Sequence, residues 1–518
     1  MSTKSLKDSE FIKLKHVQQN QKNHYANFGK AVYCSVGFLI LYTALNPTQI
    51  SYTQILTSNN YDQLGNFCLA LSYLFYGIGC LVASYIVENL GLKFSLSIAA
   101  LSDTIWILSI IPPAYSSQND TNNGMIITNT GFVYTTQILI QIIQGICLGL
   151  KWVAGGKYIS QCATEETRGF YFGIFWGIFM ISMVLGSLIA AFISIHFNQT
   201  TFLFIMATIA TLSIVVFSTL AEPIPQERYL PAENENDYQS EEDDEIIKLQ
   251  SCERIRLFKK CENYQAIEQK SDSCNEYNRS INQVFTIQRQ SIKAAPISLK
   301  IEVKEILQLI TSKRMLPLLP QLIWLGASIA IYSGILVIII IETQSFGDDQ
   351  QKFFQSMLTM VSFGAGEIMG SLISGLMIDY YGNKKTVYMN ILLVSLQTCL
   401  MFVYMIDYKF SSFAFLLTFV WGLQDSSNNT LSVEILAFEF TNNSQSIAVS
   451  NFSLAMGALA FNFIQGFIKG KEQYLIYTTI IGFFGILCNI SSLFFQFKPM
   501  PKDSKQSMKS MNYNDDCN

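Results

Sequence analysis

The sequence predicts an all-α polytopic membrane protein, with twelve transmembrane helices in two six-helix bundles and a long central cytoplasmic loop. Two observations support this fold class. Apolar runs long enough to cross a bilayer recur along the chain, and one ten-residue pattern occurs once in each half. Only 14% of the 518 residues are charged, whereas soluble domains carry roughly 25%. The composition therefore does not fit a soluble domain.

The predicted helices are runs of about 20 uncharged, mainly apolar residues, which is the length needed to cross the hydrocarbon. Six of them precede a polar central stretch and six follow it. They cover residues 29–51, 66–87, 92–113, 132–155, 169–195, 200–221, 315–341, 353–378, 386–406, 411–430, 446–468 and 474–497.

The domain boundaries follow from these runs. We expect a cytoplasmic tail over 1–28, an N-terminal bundle over 29–221, a linker over 222–314, a C-terminal bundle over 315–497 and a cytoplasmic tail over 498–518. The linker is expected to be mostly disordered, because its runs of like charge bury too little apolar surface. Only its last residues have apolar side chains at helical spacing, which predicts a helix along the inner membrane surface.

Basic residues predict the side of the membrane, because Lys and Arg are enriched in cytoplasmic loops. Both tails, the linker and the turns after the second, fourth and eighth predicted helices hold basic residues. We therefore place both termini in the cytoplasm and the protein in the plasma membrane or an endomembrane. The opposite loops at 52–65 and 114–131 contain no Lys or Arg, and Asn119 in the second is a candidate glycosylation site.

The repeated pattern reads small-x-x-x-acid-x-x-Gly-x-Lys and lies between the second and third helices of each half. A tight turn needs a residue that tolerates left-handed backbone geometry, which glycine provides. An acid at a helix end can also cap a neighbouring helix, whose exposed amides favour an anion. The alternative is an ordinary tight turn with interfacial charges. The residues are Ser84, Glu88, Gly91 and Lys93 in the first copy, and Gly375, Asp379, Gly382 and Lys384 in the second.

This pattern resembles the loop motif between helices two and three, and between eight and nine, of the major facilitator superfamily. The resemblance implies that both copies act as conformational switches between the bundles. The family's arginine after the acid is replaced by Asn89 and Tyr380, which implies a weaker charge clamp.

A closer resemblance, to the UNC-93-like branch of that superfamily, lies in residues 27–46, 150–189 and 421–430. It implies a membrane protein with a transporter fold. Studied members of that branch act as regulatory subunits of potassium channels or as trafficking partners of receptors.

Four charged residues lie inside predicted helices, where charge is expensive and therefore marks functional candidates. They are Asp103, Lys151, Glu367 and Asp425. In this fold the first, fourth, seventh and tenth helices line a central cavity, so we hypothesise that Lys151 and Asp425 face each other across it. The alternatives are that Lys151 snorkels to the interface and that Glu367 is a packing carboxylate beside small residues.

Further polar residues refine these candidates. Gln424 and Asn428 flank Asp425 and are candidates for the same ion or substrate site. Gln141 stands where many superfamily members carry arginine in the fourth helix, and the fifth lacks the Gly-Pro element of drug antiporters. We therefore predict no drug antiporter. We expect the following aromatic residues to belong to the membrane interface or the core: Trp106, Trp152, Trp176 and Tyr134.

Other function classes find no support in the sequence. The three histidines lack ligand spacing, so we predict no metal site, and we find neither a cofactor motif nor a catalytic set. The net charge of −4 gives no reason to expect nucleic acid. We predict a non-enzymatic protein whose partners are the lipid bilayer and either an ion channel or receptor, or a small solute or cation.

Two main interpretations of function remain. The UNC-93-like resemblance favours a regulator or accessory subunit of ion channels, notably potassium channels, or of other membrane proteins; a trafficking escort for receptors is a weaker variant. The alternative is a secondary transporter of a small solute or cation by alternating access, with Asp425 as a ligand. The charged cavity helices favour transport, whereas the altered loop motif and Gln141 favour a regulator.

Overall fold

All regular secondary structure is helical in the residues that the structure describes, and the predicted all-α fold class is confirmed. The structure is a computed structural model that describes residues 25–61, 64–116, 129–224, 299–347 and 349–498. The predictions of a disordered linker and of a glycosylation site fall on residues outside these ranges.

Twelve long helices make up the described chain, six before the linker and six after it. Their order and number match the apolar runs of the sequence. They are α1 (Phe28–Ser58), α2 (Leu64–Leu90), α3 (Leu92–Ser109), α4 (Thr130–Cys162), α5 (Arg168–His196), α6 (Gln199–Ser218), α7 (Leu319–Glu342), α8 (Asp349–Tyr381), α9 (Asn383–Asp407), α10 (Ser412–Phe438), α11 (Asn443–Gln465) and α12 (Gly470–Ser491).

Eleven of these helices are long and apolar enough to cross a membrane, and α10 is the exception. Its 27 residues suffice in length, but a polar run from Gln424 to Thr430 lowers its hydropathy. The side chains of this run are buried in the protein, so α10 does not present them to lipid. Polar residues inside a bundle are tolerated where neighbouring helices cover them.

Polar caps fix several helix starts. The side chains of Asn129, Asn198, Ser411 and Asn442 accept backbone N–H groups at the starts of α4, α6, α10 and α11. Such caps satisfy donors that have no partner within the helix. The helix α7 contains one irregular turn, since Ile331–Ile335 forms a π-helix, a feature that often occurs at functional sites.

Two helix pairs join the N-terminal half to the C-terminal half: α5 lies along α8, and α2 lies along α11. The first pair approaches closely where glycines face each other. A Cβ atom added to Gly375 would lie 2.5 Å from the Gly169 carbonyl oxygen and 3.1 Å from the Gly173 Cα. Larger residues would separate the halves at this point, which explains the small residue that begins the second motif copy.

The glycines in the two motif turns have the backbone geometry that the sequence predicts. Gly91 has φ of 84° and Gly382 has φ of 83°, and each immediately precedes the next helix. Both values lie in the region that favours glycine. We call the end of the molecule that carries these two turns the motif end.

The amphipathic helix predicted before α7 is present over Leu299–Ile310. It contacts α2 of the first half and α11 of the second. Ile306 is fully buried, and the Gln445 amide donates to the Glu305 carboxylate at 2.7 Å. The helix therefore packs against both halves, and its placement on a membrane surface stays a prediction.

Candidate functional site

A cavity of about 160 Å³ lies between the two halves. Its wall includes Tyr42 of α1, Lys151 of α4, Tyr332 of α7 and Asp425 of α10, so the four helices that we expected to line a cavity do so. Residues of α2, α3, α5 and α11 complete the wall. A space of this size holds on the order of ten water molecules, or a solute with a similar number of non-hydrogen atoms.

On the side of the N-terminal half, Lys151 forms an ion pair with Asp103 of α3. The Lys151 Nζ lies 2.6 Å from an Asp103 carboxylate oxygen, and the two side chains are 0% and 1% exposed. The second Asp103 oxygen accepts from the Gln144 amide at 3.1 Å, and Ser72 in turn donates to Gln144 at 2.8 Å. The pair and its hydrogen bonds thus lie within one half.

Lys151 and Asp425 thus both lie on the cavity wall, but Lys151 forms its ion pair with Asp103 and not with Asp425. The alternative that Lys151 snorkels to the interface is wrong, because its side chain is fully buried. A buried ammonium requires a close counter-charge, and α3 supplies Asp103 from within the same half. The sequence contained both residues as separate candidates. Nothing in their spacing, 48 residues apart, indicated that they meet.

On the side of the C-terminal half, Asp425 has only neutral hydrogen-bond donors. Its carboxylate accepts from Ser328 at 2.7 Å and from Asn429 at 3.0 Å. Glu367 of α8, which is fully buried, lies next to it and interacts with it electrostatically. No Lys, Arg or His among the described residues lies within ion-pair distance of Asp425. The two halves thus differ in how they compensate buried charge.

The other predicted site residues lie behind the cavity wall. Gln424 donates to Ser328 at 3.2 Å, and Asn428 accepts from Gln321 of α7 at 3.2 Å. Both are fully buried. The structure therefore brings the predicted polar patch together around Asp425, where Gln424 and Asn428 hold α10 against α7. Whether these residues bind a solute stays a prediction.

Aromatic side chains cover much of the remaining wall, which the sequence interpretation missed. Trp152 stacks on Trp176, with ring centroids 5.4 Å apart and an angle of 16° between the ring planes. Phe179 packs edge-on against Tyr42, with ring centroids 4.7 Å apart. Trp106 also reaches the cavity wall. Trp106 and Trp176 belong to the hydrophobic core, and Trp152 packs against it, as expected; all three also reach the cavity wall.

One signal in the sequence could have identified this wall. The residues of α5 that line the cavity recur at helical spacing on one face, which an amphipathic analysis of a single helix can detect. They are Phe175, Trp176, Phe179, Met180 and Met183. Tyr134, by contrast, lies near the start of α4, and its side chain is 39% exposed, as expected for an interface residue.

Three residues on the cavity wall carry a buried polar atom that has no hydrogen-bond partner among the described residues. The atoms are the Gln141 Oε1, the Trp106 Nε1 and the Trp176 Nε1, on side chains that are 1%, 3% and 6% exposed. Buried polar atoms normally find a partner, so an orphaned one calls for an explanation.

At the motif end, the second motif copy joins the two halves. The Asp379 carboxylate accepts the backbone N–H groups of Gly169 at 2.8 Å and Phe170 at 2.6 Å. These amides belong to the start of α5, so the predicted capping of a neighbouring helix is confirmed for Asp379. An anion at this position also interacts favourably with the helix dipole.

An ion network that the sequence interpretation missed surrounds this cap. Arg168 pairs with Glu434 of α10 at 2.8 Å and with Glu165 at 3.3 Å, while Glu439 pairs with Arg314 at 3.3 Å. Glu434 was missed because the predicted tenth helix stopped at 430, whereas α10 continues to Phe438.

The first motif copy makes different contacts. Glu88 pairs with Lys157 of α4 at 3.3 Å, and the two side chains are 35% and 15% exposed. Both belong to the N-terminal half. Lys93 and Lys384 lie exposed in their turns. Since Lys157 and Gly169 flank the same α4–α5 connection, the two turns lie at one end of the molecule.

Twelve helices in two halves around a central cavity define the class of polytopic membrane proteins with a transporter fold. Sequence comparison identifies the family: the profile of the Major Facilitator Superfamily matches residues 31–461, and the chain belongs to this superfamily.

Among curated relatives, the chain is 24% identical over 484 residues to the UNC93-like protein MFSD11 of Xenopus laevis, covering 88% of this chain and 94% of the relative. It is also 28% identical over 137 residues to the UNC93-like protein C922.05c of Schizosaccharomyces pombe, covering 26% and 24%. The predicted resemblance to the UNC-93-like branch is confirmed.

Solved structures show the same fold. The proton:xylose symporter XylE bound to 6-bromo-6-deoxy-D-glucose superposes with a TM-score of 0.60 at 15% identity, covering 92% of this chain and 97% of that one. XylE from E. coli in a partially occluded inward-open conformation gives a TM-score of 0.57 at 14% identity, covering 91% and 99%.

Proposed function

We propose that this protein is a secondary transporter that binds a small polar solute in its central cavity and moves it by alternating access. The observation that supports the proposal is the cavity itself, which is enclosed by both halves and lined by buried charged and unpartnered polar groups. A cavity with this lining at the junction of two helical halves is typical of transporter binding sites.

The contacts between the halves support a rocking motion. At the motif end, Asp379 and the Arg168 network hold α5 against α8 and α10. These are polar contacts near a glycine-lined interface, and they can exchange with water when the halves separate. In this proposal the motif end faces the cytoplasm, as the basic residues of its turns indicate.

The experiment is flux in liposomes that contain the purified full-length protein. Potassium, proton and labelled-solute uptake are measured with wild type and with Asp425→Asn, and the matched control is Glu342→Gln. Glu342 accepts from Tyr408 and Tyr474 away from the cavity. We expect uptake that Asp425→Asn abolishes and Glu342→Gln preserves. Protease access to a tag at the N-terminus reports orientation in the same vesicles.

A second candidate is a regulator of an ion channel or of another membrane protein, as the UNC-93-like resemblance implies. One observation favours it: the first motif copy does not bridge the halves, since Glu88 pairs within its own half. A protein in which only one motif copy bridges the halves is consistent with the loss of the alternating-access cycle. Absence of flux for every solute, together with co-purification of a channel, would support this function and overturn transport.

A further inference from the structure

The electrostatic balance of the cavity favours a cation. The Lys151 charge is already compensated by Asp103 at 2.6 Å, whereas Asp425 has neutral donors and a second carboxyl, Glu367, beside it. A buried carboxylate is costly unless a positive charge or a proton compensates it. Asp425 therefore offers the cavity a carboxyl group whose negative charge a bound cation can compensate in place of a proton.

The aromatic wall suits a cation with apolar substituents. The ring faces of tryptophan and tyrosine attract cations within about 6 Å of the centroid, and Trp152, Trp176 and Tyr332 all reach the cavity. This wall already accommodates one ammonium, because the Lys151 Nζ lies 4.5 Å from the Tyr42 ring centroid. An inorganic cation would need several oxygen ligands in place of these rings.

The unpartnered atoms define a further requirement. The Nε1–H of Trp176, which stacks on Trp152, needs an acceptor. A hydroxyl group can accept this hydrogen bond. A sugar would also offer hydroxyl groups, but it would leave the charge of Asp425 without compensation.

We propose that the cavity binds a small organic ammonium compound that carries a hydroxyl or similar polar group. The ammonium lies against Asp425 and the aromatic rings, and the polar group accepts from the Trp176 Nε1–H. This inference rests on the proposed transport function, because it names the class of substrate that the same cavity would bind.

The test is equilibrium binding to the purified full-length protein in nanodiscs, with labelled choline as the probe. Its neutral carbon isostere 3,3-dimethyl-1-butanol serves as the competitor that has the same shape without the charge. We expect choline to bind and the isostere to compete at least tenfold more weakly. Potassium chloride, glucose and glutamate at equal concentration are expected not to compete.

Two variants locate the site. Asp425→Asn removes the charge and retains an oxygen that accepts from Ser328, and we expect an affinity loss of tenfold or more. Trp152→Leu retains the carboxylate and is expected to weaken binding about threefold to thirtyfold, the range of a cation–π contact. Glu342→Gln is the control that leaves binding unchanged. Size-exclusion profiles confirm that each variant is folded.

Binding of the isostere as tight as that of choline, or unchanged binding by both Asp425→Asn and Trp152→Leu, would overturn the inference. So would competition by potassium alone. Choline binding without liposome uptake would refute transport and leave the cation site intact. Conversely, uptake of a neutral or anionic solute by a protein that does not bind choline would support transport and overturn the cation site.

Discussion

The two halves of the molecule compensate their charges in different ways. Within the N-terminal half, Lys151 pairs with Asp103 and Glu88 pairs with Lys157, whereas Arg168 pairs across the halves with Glu434. In the C-terminal half, Asp379 and Glu434 instead contact the other half, at the start of α5. Asp425 lies on the cavity wall without a cation among the described residues.

This difference separates charged residues that keep one partner from charged residues that can change partner. A charge compensated inside one half keeps its partner while the halves move. A charge that reaches across the interface, or into a cavity, changes its partner when the halves separate or a solute binds. Three predictions test this division, from the largest expected effect to the smallest.

The largest effect is expected where a pair is internal to the N-terminal half. Asp103→Asn leaves the fully buried Lys151 without a counter-charge, which should cost about 3–5 kcal/mol of stability. The double variant Asp103→Asn with Lys151→Met replaces the pair by neutral groups and should recover most of that loss. Reversible unfolding in mixed micelles measures both, and a double variant as unstable as the single one would contradict the assignment.

A smaller effect is expected for the network across the halves. Arg168→Met leaves Glu434 buried without its cation, and we expect a cost of about 2–4 kcal/mol in the state with a closed motif end. The control Lys157→Met breaks a partly exposed pair, for which about 0–1 kcal/mol is usual.

The readout for this network is thiol labelling of Cys34 and Cys162, which are fully buried on α1 and α4 near the motif end. Arg168→Met should accelerate labelling of both cysteines, whereas Lys157→Met should leave their rates near those of wild type. Equal rates in the two variants would mean that the Arg168 network does not hold the halves together.

The smallest effect is expected at the duplicated motif, where the two copies can be compared directly. Asp379→Asn weakens two charge-assisted bonds to the start of α5, at a cost of about 1–2 kcal/mol. Glu88→Gln loses only a partly exposed ion pair, which should cost less than about 0.5 kcal/mol. Labelling of Cys162 should therefore rise about fivefold or more in the first variant and little in the second. Equal effects would show that both copies bridge the halves.

Much of the architecture could be predicted from the sequence, because the hydrocarbon imposes strict rules on chain segments. Helix number and order followed from apolar length, and the positive φ of Gly91 and Gly382 followed from the motif. A hydropathy window ends where polar residues begin, so it truncated α10 before Glu434. Such a window also does not show that core residues such as Trp152 and Trp176 reach a cavity.

The sequence by itself determined the twelve helices, the duplicated halves and the rare charges inside them, since each is a local property of composition and spacing. Only the tertiary structure decided which charges meet. Three acids lie inside predicted helices, and the packing of α3 against α4 brought one of them, Asp103, to Lys151. That choice left Asp425 uncompensated on the cavity wall. Partner selection depends on distances between helices, which a linear sequence does not contain.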